Sequence, residues 1–200
     1  MSATRIFDGL AALLGLLILL PFFAIIALLV KLQDRGPVFY RQERVGRGGR
    51  PFRIWKFRTM VVDADRAGKP LTVGADPRVT RIGAFLRRWK LDELPQLLNV
   101  VAGEMGLVGP RPEVPKYVAH YTEEQRAVLA LRPGVTDLAS IAYRNESELL
   151  AGLEDPEAHY LQVILPDKIR INLDYSARAS LGRNLKVILA TLGLMDPARV

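Results

Sequence analysis

From Gly9 to Val30 the chain runs through twenty-two positions without a charge. That is long enough for a helix to cross a bilayer. It is too long for a signal-peptide core, and no small-x-small cleavage site follows it. Pro21 stands near its middle, where it removes a backbone donor and crowds the preceding turn. The pattern predicts two apolar helical arms, Gly9–Leu20 of about 18 Å and Phe22–Val30 of about 14 Å, at 1.5 Å per residue. Each matches about one leaflet. Two topologies follow, a kinked span or a re-entrant helix-break-helix. The pattern then changes. Val38–Val45 and Phe52–Met60 are rich in Val, Phe, Tyr, Ile and Trp and flank the turn signal 46–50, which predicts a hairpin. Alternation places Phe52, Ile54, Lys56 and Arg58 on one face. Residues 63–78 read as a loop. Thr80–Trp89 reads as a short helix. A second helix starts near Asp92, with Leu94, Leu97, Leu98 and Val101 in register and Gly103 as its stop. Pro115–Leu131 reads as a helix. Residues 135–143 read as a short strand or extended loop. Glu146–Leu153 and Pro156–Leu165 read as short helices. Helical spacing continues from Pro166 to about Leu194, with Arg170, Arg178, Arg183 and Lys186 interspersed. The expected architecture is α+β and mostly helical: a membrane segment over 1–32 and one catalytic domain over 33–200, with amphipathic C-terminal helices at the interface.

Charge sharpens this picture. The formal net charge is +7, and residues 31–60 alone account for it, with nine Lys or Arg against Asp34 and Glu43. A basic block beside an apolar segment is drawn to anionic headgroups, which ranks nucleic acid below membrane lipids as a partner. Arg5 and Asp8, three apart, are spaced to pair. The absence of cysteine excludes disulfides, thiolate chemistry and Cys-based metal sites. His120 and His159 have no metal-binding spacing. No Walker A or dinucleotide fingerprint is present.

The candidate chemistry lies in residues 86–112. Asp92 and Glu93 follow Arg87, Arg88 and Lys90 and precede the Pro110-Arg111-Pro112 turn. An Asp before a helix is ordinarily an N-cap, and a lone Pro-Arg-Pro is ordinarily a surface turn. Together they describe carboxylates ringed by fixed cations, which suits phosphate and magnesium. A carboxylate can form an acyl phosphate, nearby cations keep Asp92 ionised, and an Arg between two φ-locked prolines presents a phosphate-binding fork. Magnesium takes one or two carboxylates plus substrate phosphates, which Asp92, Glu93 and a diphosphate provide. Paired glycosidase carboxylates flank a bond from opposite sides, which two adjacent side chains do not. A non-enzymatic membrane adaptor with a basic face is the alternative.

Several ordered motifs carry a resemblance: Tyr40-Arg41-Gln42 with Arg44-x-Gly46; Lys56-Phe57-Arg58-Thr59-Met60; Leu91-Asp92-Glu93-Leu94-Pro95-Gln96 with Asn99-Val100; Gly103-Glu104-Met105; Val108 to Pro112; Arg132 to Thr136; and Arg144-Asn145. Together they resemble the bacterial sugar transferases, the monotopic phosphoglycosyl transferases. The resemblance implies a re-entrant helix broken at Pro21, without the Ser that commonly precedes the proline. It implies transfer of a sugar-1-phosphate from a UDP-sugar to polyprenyl phosphate, with Asp92 as covalent nucleophile, release of UMP, and Glu93 assisting with magnesium. Arg111 would grip phosphate, with Arg87, Lys56, Arg58, Arg144 and Arg132 as further contacts. It places the catalytic domain on the cytoplasmic face of the bacterial inner membrane. The implied role is the first membrane step of glycoconjugate assembly (exopolysaccharide, O-antigen, capsule or glycoprotein), with homodimerisation left open. Asn184 departs from the family pattern, where Asp is common.

Overall fold

The computed structural model describes residues 3–64, 73–74 and 76–199. Most of the loop expected over 63–78 lies outside the described residues; beside it, Met60 and Val79 form an isolated antiparallel bridge. The architecture is α+β and mostly helical.

Helix α1, Ala3–Asp34, is one unbroken helix with Pro21 inside it. The expected break is therefore not a break in the helical backbone. A proline costs a helix one donor, and such losses are tolerated in apolar helices because neighbouring elements and local adjustments satisfy the freed groups. One stripe of α1 is buried, at Asp8, Ala12, Ile26 and Val30, and Gly15 comes close to Leu97. With the half-buried Leu16, Leu19 and Phe23 the stripe recurs at three- and four-residue steps, as one helix face must. On the other side Leu10, Leu13, Leu14, Leu17, Ile18, Leu20, Ile25, Leu28 and Leu29 are exposed. The anticipated Arg5–Asp8 pair is replaced: Asp8 accepts from the backbone of Leu107 and faces Arg132.

Strands β1, Phe39–Val45, and β2, Pro51–Phe57, form the expected antiparallel hairpin. Gly48 and Gly49 turn it at positive φ, 68° and 76°, a conformation glycine adopts without a Cβ clash. The register sets Tyr40 opposite Lys56, Gln42 opposite Ile54 and Arg44 opposite Phe52, so these six share the inward face. Ile54 packs with Ala12, Val100 and Met105. Phe57 packs with Ile26, Val30 and Leu86.

Helix α2, Arg81–Arg88, is capped by Thr80, whose Oγ1 accepts from the Gly83 N–H at 2.9 Å. A Cβ at Gly83 would lie 2.0 Å from the Thr59 carbonyl oxygen, so only glycine allows this approach. Lys90, at φ 56°, redirects the chain. A 3-10 turn, Leu91–Gln96, then runs into α3, Leu97–Val101, and Gly103 ends it at φ 84°.

The hydropathy pattern did not indicate β3, Gly106–Val108, which pairs in parallel with β4, Gly134–Thr136. The helix expected over Pro115–Leu131 is only α4, Pro115–Val118, followed by a 3-10 turn, Gln125–Ala130. Thr122 and Gln125 cap each other there, at 3.0 and 3.2 Å, and this capping box restarts the chain. After β4 comes α5, Leu138–Ala142, where the sequence pointed to extended chain. Helix α6, Glu146–Ala151, matches expectation, whereas the helix expected over Pro156–Leu165 is α7, Pro156–His159, running through a π-helical turn, Tyr160–Ile164, into the next helix. The last helical stretch divides into α8, Leu165–Ser176, and α9, Leu181–Thr191, the latter capped by Ser180. The Tyr175 hydroxyl donates to Asn184 Oδ1 at 2.7 Å and ties the two together.

Candidate active site

The turn Leu91–Gln96 presents its two carboxylates to different surroundings. Glu93 is engaged on both oxygens. Lys56 Nζ donates to Oε1 at 2.8 Å and Arg111 Nη1 to Oε2 at 2.8 Å, while Arg111 Nη2 also bonds Oε1. Burial opposes ionised Glu93, but Arg111 and Lys56 outweigh it and hold the carboxyl well below its ordinary range. Glu93 in turn raises the pKa of Arg111. Lys56 is pulled down by burial, with Glu93 opposing.

Asp92 is 6% exposed, and its Oδ1 has no hydrogen-bond partner. Burial raises its pKa and the Glu93 charge adds to this, against Lys56, Arg87 and Arg111. The cations expected to keep Asp92 fully ionised are thus outweighed, because two of them are committed to Glu93. Arg87 faces Asp92 electrostatically and donates from Nε to Thr59 Oγ1 at 2.9 Å. The close packing of Gly83 on Thr59 sets that position.

The backbone explains the approach of Arg111. A Cβ at Gly134 would lie 2.1 Å from the Gly109 nitrogen, and one at Gly109 would lie 2.3 Å from the Arg132 carbonyl oxygen. The segments 109–112 and 132–134 therefore touch backbone to backbone. Gly134 N–H donates to the Pro110 carbonyl at 3.1 Å and Gly109 N–H to that of Thr136 at 3.0 Å. On the far side, Arg44 Nη1 donates to the Pro112 carbonyl at 2.9 Å, and its Nε and Nη2 donate to Gln42 Oε1 at 3.1 and 2.6 Å.

The structure thus gathers Asp92, Glu93, Lys56, Arg87 and Arg111. Three other candidates have partners elsewhere. Arg58 is 7% exposed, pairs with Asp34 through both Nη atoms, and bonds the carbonyls of Pro37 at 2.6 Å and Met60 at 3.1 Å. It lies past the end of β2, so strand alternation does not govern it, and it clamps the end of α1. Arg132 bonds the Gly103 carbonyl at 2.8 Å, beside Asp8. Arg144 bonds the Thr191 carbonyl at 2.9 Å, at the end of α9. The residue reading gave no role to Gln42, Arg44, Thr59 or Asn99. Asn99 is fully buried and bonds Trp55 N–H, the Arg53 carbonyl and Glu104 at 2.9, 2.9 and 2.7 Å, which fixes the strand carrying Lys56 beside the Leu91–Gln96 turn. Hairpin register was the available signal for Gln42 and Arg44, since it puts them on the face of Lys56.

Among the described residues, no group of three or more acidic, His or Cys side chains could hold a metal ion. The unpartnered Asp92 oxygen fits magnesium in its other mode, with one or two carboxylates completed by substrate phosphates. A buried carboxylate among fixed cations, on a domain lined by a long apolar helix, is the arrangement that phosphoryl transfer at a membrane surface would require.

The chain belongs to the bacterial sugar transferase family, whose profile matches residues 1–195. It is 48% identical over 124 residues to a putative undecaprenyl-phosphate N-acetylgalactosaminyl 1-phosphate transferase of Bacillus subtilis, covering 62% of this chain and 69% of that protein. It is 39% identical over 191 residues to the UDP-glucose:undecaprenyl-phosphate glucose-1-phosphate transferase of Caulobacter vibrioides, covering 94% and 67%. The Escherichia coli protein of that name is 38% identical over 194 residues, covering 92% of this chain but 38% of its own length.

Proposed function

We propose that this chain transfers a sugar-1-phosphate from a UDP-sugar to undecaprenyl phosphate in exopolysaccharide synthesis, through a covalent intermediate on Asp92. The observation that carries the proposal is the buried, unpartnered oxygen of Asp92 beside Lys56, Arg87 and Arg111. The Asp92 oxygen attacks the phosphorus that bears the sugar. The bond from that phosphorus to the bridging oxygen breaks, and UMP departs with that oxygen and the electron pair. An oxygen of the lipid phosphate then attacks the same phosphorus, the acyl-phosphate P–O bond breaks, and the Asp92 carboxylate is restored. Burial raises the basicity of Asp92, which strengthens it as a nucleophile once ionised. Glu93 is a positioning residue that holds Lys56 and Arg111 against the phosphates, and Arg87 adds a third fixed charge. Magnesium, held by Asp92 and the substrate phosphates, would neutralise charge on the diphosphate.

The same reading places the protein in one leaflet at the cytoplasmic face of the bacterial inner membrane. Support comes from the packing of α1. Its buried stripe from Asp8 to Val30 covers about 33 Å, the full depth of a hydrocarbon core. Arg132 lies at one end of that stripe and the Arg58–Asp34 clamp at the other. A crossing helix would put these charges at opposite faces and drag the site between them into lipid, whereas a shallow helix leaves all of it at headgroup level.

The test is intact mass spectrometry of the protein in detergent with magnesium and a panel of UDP-sugars, without lipid. A phospho-sugar adduct that is absent in Asp92→Asn is the expected result. UMP release that requires the lipid, without an adduct, would sink the covalent step. Neither signal with any donor would favour a membrane adaptor.

A further inference from the structure

We propose that Gln96 is a further catalytic residue, whose side-chain amide donates to a non-bridging oxygen of the phosphoryl group that Asp92 attacks. The inference rests on the transfer chemistry proposed above. Gln96 ends the turn that carries Asp92 and Glu93, one helical turn beyond that pair. It is 2% exposed, and its Nε2 has no hydrogen-bond partner.

Buried polar groups in folded proteins are nearly always paired, and two other buried side chains of this domain show that rule. Asn99, three residues on, makes three hydrogen bonds. Asp137, 1% exposed, accepts from Ser140 N–H at 2.7 Å and Ser140 Oγ at 2.8 Å. In the catalytic turn, however, an acceptor on Asp92 and a donor on Gln96 are both left unsatisfied and are not bonded to each other. A bound group that presents an electrophile to the carboxylate and an oxygen to the amide satisfies both, and a phosphoryl group does so. Arg111 and Lys56 each have part of their donor set on Glu93, whereas the amide of Gln96 is wholly uncommitted. It is also neutral, so it bonds the phosphoryl oxygen without adding to the charge that competes for Glu93.

A structural glutamine and a substrate-contacting one differ in the Gln96→Met variant, which keeps the shape and removes the orphaned donor. Relief of an unsatisfied group leaves stability unchanged or raised. Loss of a donor aimed at a phosphoryl oxygen slows the chemical step, by about a hundredfold if it acts as one oxyanion-hole donor does. The experiment uses the full chain in detergent with magnesium and saturating UDP-glucose. It reads the rate of UMP release with lipid phosphate, the rate of adduct formation without it, and the melting temperature. A melting temperature at or above wild type with about a hundredfold slower adduct formation is the expected result. Gln96→Glu, isosteric but with carboxylate oxygens in place of the donor, serves if the Met variant does not fold, and its rate should fall further. A folded variant of either kind working within threefold of wild type overturns the role of Gln96 while wild-type turnover keeps the transfer reading intact. A wild-type protein that releases no UMP overturns both.

Discussion

Asp92 and Glu93 are adjacent in the chain and opposite in their surroundings. Glu93 accepts three hydrogen bonds from two cations and is held ionised. Asp92, more deeply buried, keeps an oxygen without a partner and has its pKa raised. One carboxylate of the turn is saturated and the other is left with an open oxygen, which is the asymmetry the proposed covalent step needs. Cations near a proposed nucleophile therefore need not serve it directly. Here they are locked by a neighbouring anion, which fixes their geometry and leaves the Asp92 oxygen open.

The largest test of this contrast removes the locking anion. Glu93→Gln leaves Lys56 and Arg111 buried without their counter-charge, and breaking a buried pair in this way costs about 3–5 kcal/mol. Thermal unfolding should show that loss together with loss of adduct formation; an unchanged melting temperature would mean that Glu93 holds nothing in place. Next is the clamp that anchors α1. Arg58→Ala removes charge-assisted bonds to Asp34 and should cost about 2 kcal/mol, while the folded fraction keeps the KM for donor of the wild type. A raised KM would return Arg58 to the substrate site.

Asp92→Asn should abolish the adduct and act on stability with the opposite sign to Glu93→Gln. The folded pKa of Asp92 lies above its unfolded value, so its favourable contribution is complete below the unfolded pKa and lost as pH rises through the folded one. The variant should therefore gain stability on wild type at neutral pH and lose that gain as pH falls toward about 4. Melting curves for both proteins across that range test this, and a pH-independent difference would refute the buried-acid account. The smallest effect belongs to Thr59→Val, which unseats Arg87. About 1 kcal/mol of stability and about tenfold in kcat/KM are expected from parallel unfolding and UMP-release assays, and wild-type kinetics would show that Arg87 needs no support.

Much of this was legible in the chain. Strand alternation and the Gly48-Gly49 turn gave the hairpin, and the uncharged run gave α1. The Thr122–Gln125 capping box that divides the 115–131 region was visible as well, but the apolar spacing masked it. The three-residue strand β3 was not, because it is too short to show a period, and β4 was caught only in part, in the reading of 135–143 as a short strand or extended loop. The same limit applies to the cations. Arg58, Arg132 and Arg144 stand in motifs as suggestive as those of Lys56 and Arg111, and residue type does not say where a guanidinium finds its partner.

The sequence by itself determined the apolar helix with Pro21, the basic block that follows it, the hairpin, and the pairing of Asp92-Glu93 with a φ-restricted Arg111. Those follow from local rules of periodicity, charge and backbone freedom. Only the tertiary structure decided which cations reach the carboxylates, which carboxylate they saturate, and that α1 lies along the domain over its length. Those outcomes depend on contacts between distant segments, such as Gly109 on Gly134 and Gly83 on Thr59, where the lack of a side chain allows a close approach that no local pattern announces.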